Sequence, residues 1–88
     1  MPRALTIQRT LVTPGERKRF HERLAERRAY FAQAQCRYWV FEEAGLPGAF
    51  LEFVEAGDRN TLARALGGAP ASDRLLDPNR VYVEVELS

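Results

Sequence analysis

The chain has 88 residues, of which 45% are apolar and 28% charged, with a formal net charge of +1. That length predicts one small domain over residues 1–88, with no room for a second. The near-neutral charge provides no field to hold a phosphate backbone or an anionic lipid surface, so neither nucleic acid nor membrane is an expected partner. The N-terminal "MPRALTIQRT" lacks the apolar core of a signal peptide, no run approaches the roughly 20 residues of a membrane span, and one cysteine, Cys36, cannot close an internal disulfide. The expected compartment is therefore the cytoplasm. Twelve arginines against the single Lys18 fit a GC-rich bacterial source.

Residues 4–12 alternate Leu5, Ile7 and Leu11 with Thr6, Gln8 and Thr10, the period of a half-buried strand. Thr13, Pro14 and Glu16 make a capping-box pattern, and a helix is predicted from there to about Ala34. Its apolar stripe is Phe20, Leu24 and Phe31, and Arg27 and Arg28 fall where the stripe would continue, their stems covering apolar surface while the charges reach water. Residues 36–42 read as a second strand, "EAGLPG" as a turn, and residues 49–56 as a third strand forming an antiparallel hairpin with the second. Asp58 is the expected N-cap of a helix that carries Leu62, Ala65 and Leu66 and ends at Gly67 and Gly68. Residues 67–79 read as loop with Leu75 and Leu76 tucked inward, and "RVYVEVEL" closes the chain as the clearest strand, Val81, Val83, Val85 and Leu87 alternating with Tyr82, Glu84 and Glu86.

The order β-α-β-β-α-β predicts a ferredoxin-like α+β fold, a four-stranded antiparallel sheet with two helices on one face and the other face open. The segment "CRYWVFEE" then poses a problem, because adjacent strand residues point to opposite faces and Tyr38, Trp39 and Phe41 send large rings to both. A second surface must cover one of them. Which pleat face meets the helices is open at this point.

The element order, the "LVTPGERKRFHERL" entry into the first helix and the bulky "YWVFEE" and "GAFLEFVEA" strands resemble the dimeric α/β-barrel superfamily, which includes antibiotic-biosynthesis-type monooxygenases. The resemblance spans essentially the whole chain but lies in fold pattern, without an active-site signature. It implies a homodimer closed through the open sheet faces, which would cover the second apolar face of "CRYWVFEE". The haem-degrading branch carries an Asn on the first strand, a Trp on a later strand and a His on the second helix. Here the first strand has no Asn, Trp39 is on the second strand and the lone His21 is in the first helix, so no haem function is expected. The strands also lack the Gly-aromatic signature of ferredoxin-like RNA-binding modules, and "TLVTPGERKR" lacks the glycine-rich phosphate cradle of acylphosphatases.

Glu52, Tyr82 and His21 are the candidate acid-base groups. Glu52 interrupts an apolar strand: if Leu51 and Phe53 contact the helices, it faces the open side with Thr6, Gln8, Tyr82 and Glu84, either as a catalytic carboxylate or as a salt-bridged one, with Arg9 or Arg37 as partner. Gln8, Tyr38, Trp39, Phe41, Glu52, Tyr82 and Glu84 form the candidate ligand-binding set, the aromatic members suited to stacking on a flat aromatic molecule. One His and one Cys supply no metal-ligand pair, so no metal and no cofactor is expected. The expected function is a homodimer that binds a small organic molecule or serves as a structural dimer. The alternative is a cofactor-independent monooxygenase or isomerase acting on an aromatic, quinol-like metabolite, and whether the chain is an enzyme is left open.

Overall fold

Seven buried residues, Ala4, Phe31, Cys36, Val54, Ala56, Leu62 and Ala65, form one apolar cluster that joins both helices to one face of the sheet. The structure, a computed structural model, describes residues 2–69 and 80–87. The elements are β1 (Ala4–Leu11), α1 (Arg17–Gln33), β2 (Arg37–Glu42), β3 (Ala49–Ala56), α2 (Arg59–Gly67) and β4 (Val81–Val83), arranged as an antiparallel sheet in the order β2-β3-β1-β4. This is the predicted ferredoxin-like fold. Leu75 and Leu76 lie outside the described residues. No helix among the described residues is long and apolar enough to cross a membrane.

The pleat runs opposite to the arrangement in which Leu51 and Phe53 meet the helices. Thr6, Phe50, Glu52 and Val54 are buried beneath the helices, and the register that pairs Ala4 with Ala56 and Thr6 with Val54 puts Leu5, Ile7, Leu51 and Phe53 on the open face. The reason is volume. α1 presses Phe20 and Phe31 onto the sheet, with Phe20 packed 4.8 Å from Phe50 between ring centroids, so Ala4, Thr6 and Ala56 leave the space those rings fill.

Three local expectations are corrected. The capping box at Thr13 does not form: the Glu16 N–H that the Thr13 hydroxyl would accept donates instead to the Thr13 carbonyl at 3.0 Å, and Pro14–Glu16 is a 3₁₀ turn ahead of α1. β4 is three residues long, because β1 offers partners only from Ala4 onward. One further bond, from Glu84 N–H to the Arg3 carbonyl, leaves Val85 and Leu87 74% and 92% exposed. Arg27 keeps its charge out of water, with its side chain 1% exposed.

Other turn chemistry behaves as the residue types require. Asp58 caps α2 by accepting from the Thr61 N–H at 2.8 Å. α1 ends with Gln35 in the left-handed region at φ 63° while the Cys36 N–H returns to the Phe31 carbonyl, which turns the chain directly into β2. At Gly48, φ is 94° and a Cβ would lie 2.5 Å from the Val12 carbonyl oxygen, so only glycine fits where the hairpin turn meets the end of β1.

Two Arg–Glu ties fasten α1 to the sheet. Near the N-terminus of α1, Arg17 donates twice to Glu42 on β2, each bond 2.8 Å, and Glu42 also accepts from the Gly48 N–H at 2.9 Å. Further along, the Arg27 guanidinium donates to both oxygens of Glu52 on β3, at 2.6 and 2.5 Å, with both side chains buried.

The ties predict different behaviour. Arg17, followed by the Gly48 N–H, lowers the Glu42 pKa from 4.5 to about 2. A lowered folded-state value means stability that is complete above the unfolded pKa and lost as pH falls through the folded one. Thermal midpoints should therefore drop more steeply for the wild type than for Glu42→Gln between pH 4.5 and about 2, and parallel curves would remove Glu42 from acid denaturation. Breaking the buried tie on one side, by Glu52→Leu, should cost about 3–5 kcal/mol in urea unfolding, because the buried guanidinium loses the carboxylate it is bonded to. Replacing Arg27 by Met, Glu52 by Leu and Tyr38 by Phe together should recover stability to within about 2 kcal/mol of the wild type.

Candidate functional site

Glu52 sits near the middle of β3, and a third group reaches it: the Tyr38 hydroxyl on β2 donates to Glu52 Oε2 at 2.7 Å. Arg27, Glu52 and Tyr38 thus form one hydrogen-bonded set between α1 and the sheet. Burial, then the bond to the Glu52 carboxylate and its charge, push the Tyr38 hydroxyl far above its ordinary pKa, so it stays a proton donor. Its ring is held by stacking on Phe31, centroids 5.5 Å apart at 20°. Glu52 is therefore a carboxylate whose lone pairs are directed at a guanidinium and a phenol. That arrangement positions groups; it does not present a base to solvent.

Beside this set, a cleft of about 480 Å³ opens between α1 and the outer edge of β2, lined by Leu24, Ala25, Arg28, Tyr38, Trp39 and Val40. The volume falls within the range of small-molecule sites. β2 is an edge strand, so the sheet stops there and the helix overhangs it. None of the six lining residues is acidic, and Arg28 is the one that carries a charge.

The predicted ligand-binding set is divided by the sheet. Tyr38 and Glu52 lie beneath the helices, while Gln8, paired in register with Glu52, donates its amide to the Arg9 carbonyl at 2.9 Å. Trp39 and Phe41 are on the open face, where both pack on Phe53, Trp39 stacked at 5.6 Å and 11° and Phe41 edge-on at 5.7 Å. Tyr82 and Glu84 are on that face too, beside a hollow of about 160 Å³, where Arg3 pairs with Glu84 at 2.8 Å and holds its carboxyl below the ordinary value. Glu52 and Tyr82, placed together by the sequence argument, are thus on opposite sides. The proposed partners of Glu52 are occupied elsewhere, Arg9 with Glu43 at 3.5 Å and Arg37 with Glu55 at 3.9 Å. His21 is exposed on α1, with Nδ1 2.9 Å from the Arg17 carbonyl oxygen and its ring edge against Phe50.

Sequence reasoning passed over Arg27 as a partner and Leu24, Arg28 and Val40 as cleft residues. The available signal was spacing: Phe20, Leu24, Arg27 and Phe31 follow the three- and four-residue steps of a core stripe, which assigns Arg27 to the buried face. Cys36 is buried, and desolvation raises its thiol pKa, as suits a small apolar residue. Among the described residues no three His, Cys, Asp or Glu side chains gather where a metal ion could sit.

No family model and no curated protein matches this chain. Solved structures do. Rv0793 from Mycobacterium tuberculosis superposes with a TM-score of 0.71 at 20% identity, covering 100% of this chain and 97% of its own. A protein from Bordetella bronchiseptica, provisionally described as an antibiotic biosynthesis monooxygenase, gives 0.69 at 17% identity with full coverage of both chains. One of the same description from Chloroflexus aurantiacus gives 0.56 at 18% identity, covering 100% of this chain and 95% of that one. At these identities the likeness is one of fold: the chain has the ferredoxin-like architecture of antibiotic-biosynthesis-monooxygenase-like proteins.

Proposed function

We propose that the protein is a homodimer, closed by pairing the open faces of two sheets, that binds a small organic molecule in each protomer. The observation that carries the assembly is the open face itself. Leu5, Ile7, Trp39, Phe41, Leu51 and Phe53 lie there side by side across three strands, with Phe41 59% exposed, and Tyr82 extends the patch onto β4 at 54%. An apolar surface of this breadth is uncommon on a soluble monomer, and two-fold pairing of like surfaces is the simplest way to cover it. The cleft at the β2 edge supports the binding half of the reading, since it has the size and aromatic lining of small-molecule sites.

A second reading is an oxygenase or isomerase that works without a cofactor on an aromatic, quinol-like substrate. It is favoured by the description of two structural neighbours and by the aromatic side chains at the cleft. Glu52 supports it least, because its carboxylate is already committed to Arg27 and Tyr38.

Trp39→Glu should abolish the dimer while leaving the circular dichroism of the fold intact, since it places a charge at the centre of the open face and away from the helices. A wild-type dimer burying more than about 1,000 Å² should persist at micromolar concentration in light scattering; a monomer there would defeat the assembly. For the second reading, saturable oxygen uptake with a panel of hydroquinones is expected, and its absence across the panel would remove the oxygenase.

A further inference from the structure

The cleft at the β2 edge is lined by an arginine beside a tyrosine. Of the six cations on α1, three are engaged: Arg17 is bonded to Glu42, Arg23 lies over the Phe20 ring at 5.8 Å, and Arg27 is bonded to Glu52. Arg28, which lines the cleft, has no hydrogen bond or ion pair among the described residues, although Glu22 and Glu26 are carried on the same helix. Its guanidinium thus stands at a site with no acidic residue among its described lining residues. Opposite it is Tyr38, whose ring is already fixed by Glu52 and Phe31, while Trp39 borders the cleft from the β2 edge with its ring turned to the open face against Phe53. Leu24, Ala25 and Val40 add apolar surface to the described lining.

These features select a ligand by chemistry. A guanidinium presents a planar fork of donors that matches a carboxylate in two-point contact, and the fixed Tyr38 ring among apolar side chains favours a flat, apolar body. Arg27 and Glu52 carry opposite charges, so among the described residues that line the cleft the one charge is that of Arg28. We infer that the cleft binds a planar aromatic carboxylate of one or two rings, its carboxylate on Arg28 and its ring system between the apolar side of α1 and the Tyr38–Trp39 segment. This rests on the proposal that the protein binds a small organic molecule, and it names that molecule's class and the residue that recognises its charge.

The test is calorimetric titration of the wild-type protein with two probes of one shape, 2-naphthoate and its neutral amide, 2-naphthamide. Naphthoate should bind saturably, and more tightly than the amide. Arg28→Gln should weaken naphthoate by about tenfold or more, the worth of one charge-assisted hydrogen bond, and leave the amide unchanged. Arg28→Lys should restore part of the loss, since it keeps the charge and loses the fork. Arg28 is exposed, so these variants should fold as the wild type does. Equal affinity for the two probes, or naphthoate binding that Arg28→Gln leaves intact, would overturn the anion assignment while the cleft remained a site for organic molecules. Absence of binding by either probe up to millimolar concentration would overturn the anion assignment and the small-molecule proposal for this cleft together.

Discussion

Much of this small fold is constrained by the contact between Arg27 on α1 and Glu52 on β3. A carboxylate in the centre of a sheet is costly to bury alone, and so is a guanidinium in the apolar stripe of a helix. Each is tolerable only opposite the other. The requirement therefore fixes several choices at once: the rotation of α1 about its axis, the pleat of β3 and the lateral position of the helix over the sheet. A slip of one residue in β3 would put Leu51 or Phe53 beneath Arg27 and send Glu52 to the other face. Such a pair need not stabilise the fold relative to apolar residues, and a well-packed replacement could match it. What it does is make the competing arrangements worse. The Tyr38 bond extends the constraint to β2, so the strand at the edge of the sheet is aligned by the same carboxylate.

This coupling explains what was legible in the sequence and what was not. Element order, the hairpin across "EAGLPG" and the Asp58 cap follow from period, turn residues and local capping, all short-range signals. The pleat face of β1 and β3 was harder. Read strand by strand, Leu5, Ile7, Leu51 and Phe53 look like the core series, and Ala4, Thr6 and Glu52 look like solvent. The assignment reverses only when the helix is considered with the sheet: α1 supplies Phe20, Phe31 and a buried arginine, so the facing strands must supply small side chains and a counter-charge. Arg27 in an apolar stripe and Glu52 in an apolar strand were each visible, and it was their mutual need that single-element patterns did not express. The aromatic strand is the converse case. Large rings on both faces of "CRYWVFEE" could be read directly, because period two alone dictates it, and the structure divides Tyr38 from Trp39 and Phe41 accordingly.

The C-terminal strand shows another boundary of pattern reading. Its alternation of valines with Tyr82, Glu84 and Glu86 continues to Leu87, yet a strand needs a neighbour as well as a period. β1 begins at Ala4, so pairing with β4 ends there apart from the single bond to Arg3. Sequence period measures what a segment can do. The length of the adjacent strand decides how much of it is used.

For function, the division of the candidate residues by the sheet matters more than their number. Polar and aromatic groups that appear to make one site in a linear reading serve two surfaces. Trp39, Phe41, Tyr82 and Glu84 belong to the face suited to a second copy, whereas Tyr38 and Glu52 belong to the helix side and its cleft. β2 contributes to both at adjacent positions, since Tyr38 is turned to the helices and Trp39 to the open face. Because the Arg27–Glu52 pair fixes Tyr38, and Phe53 fixes Trp39, the edge of β2 reaches the cleft already ordered. On the proposed reading, a ligand there would not have to order the Tyr38 ring, which would lower the entropy cost of binding. The buried charge pair thus orders the Tyr38 side of the cleft without lining it.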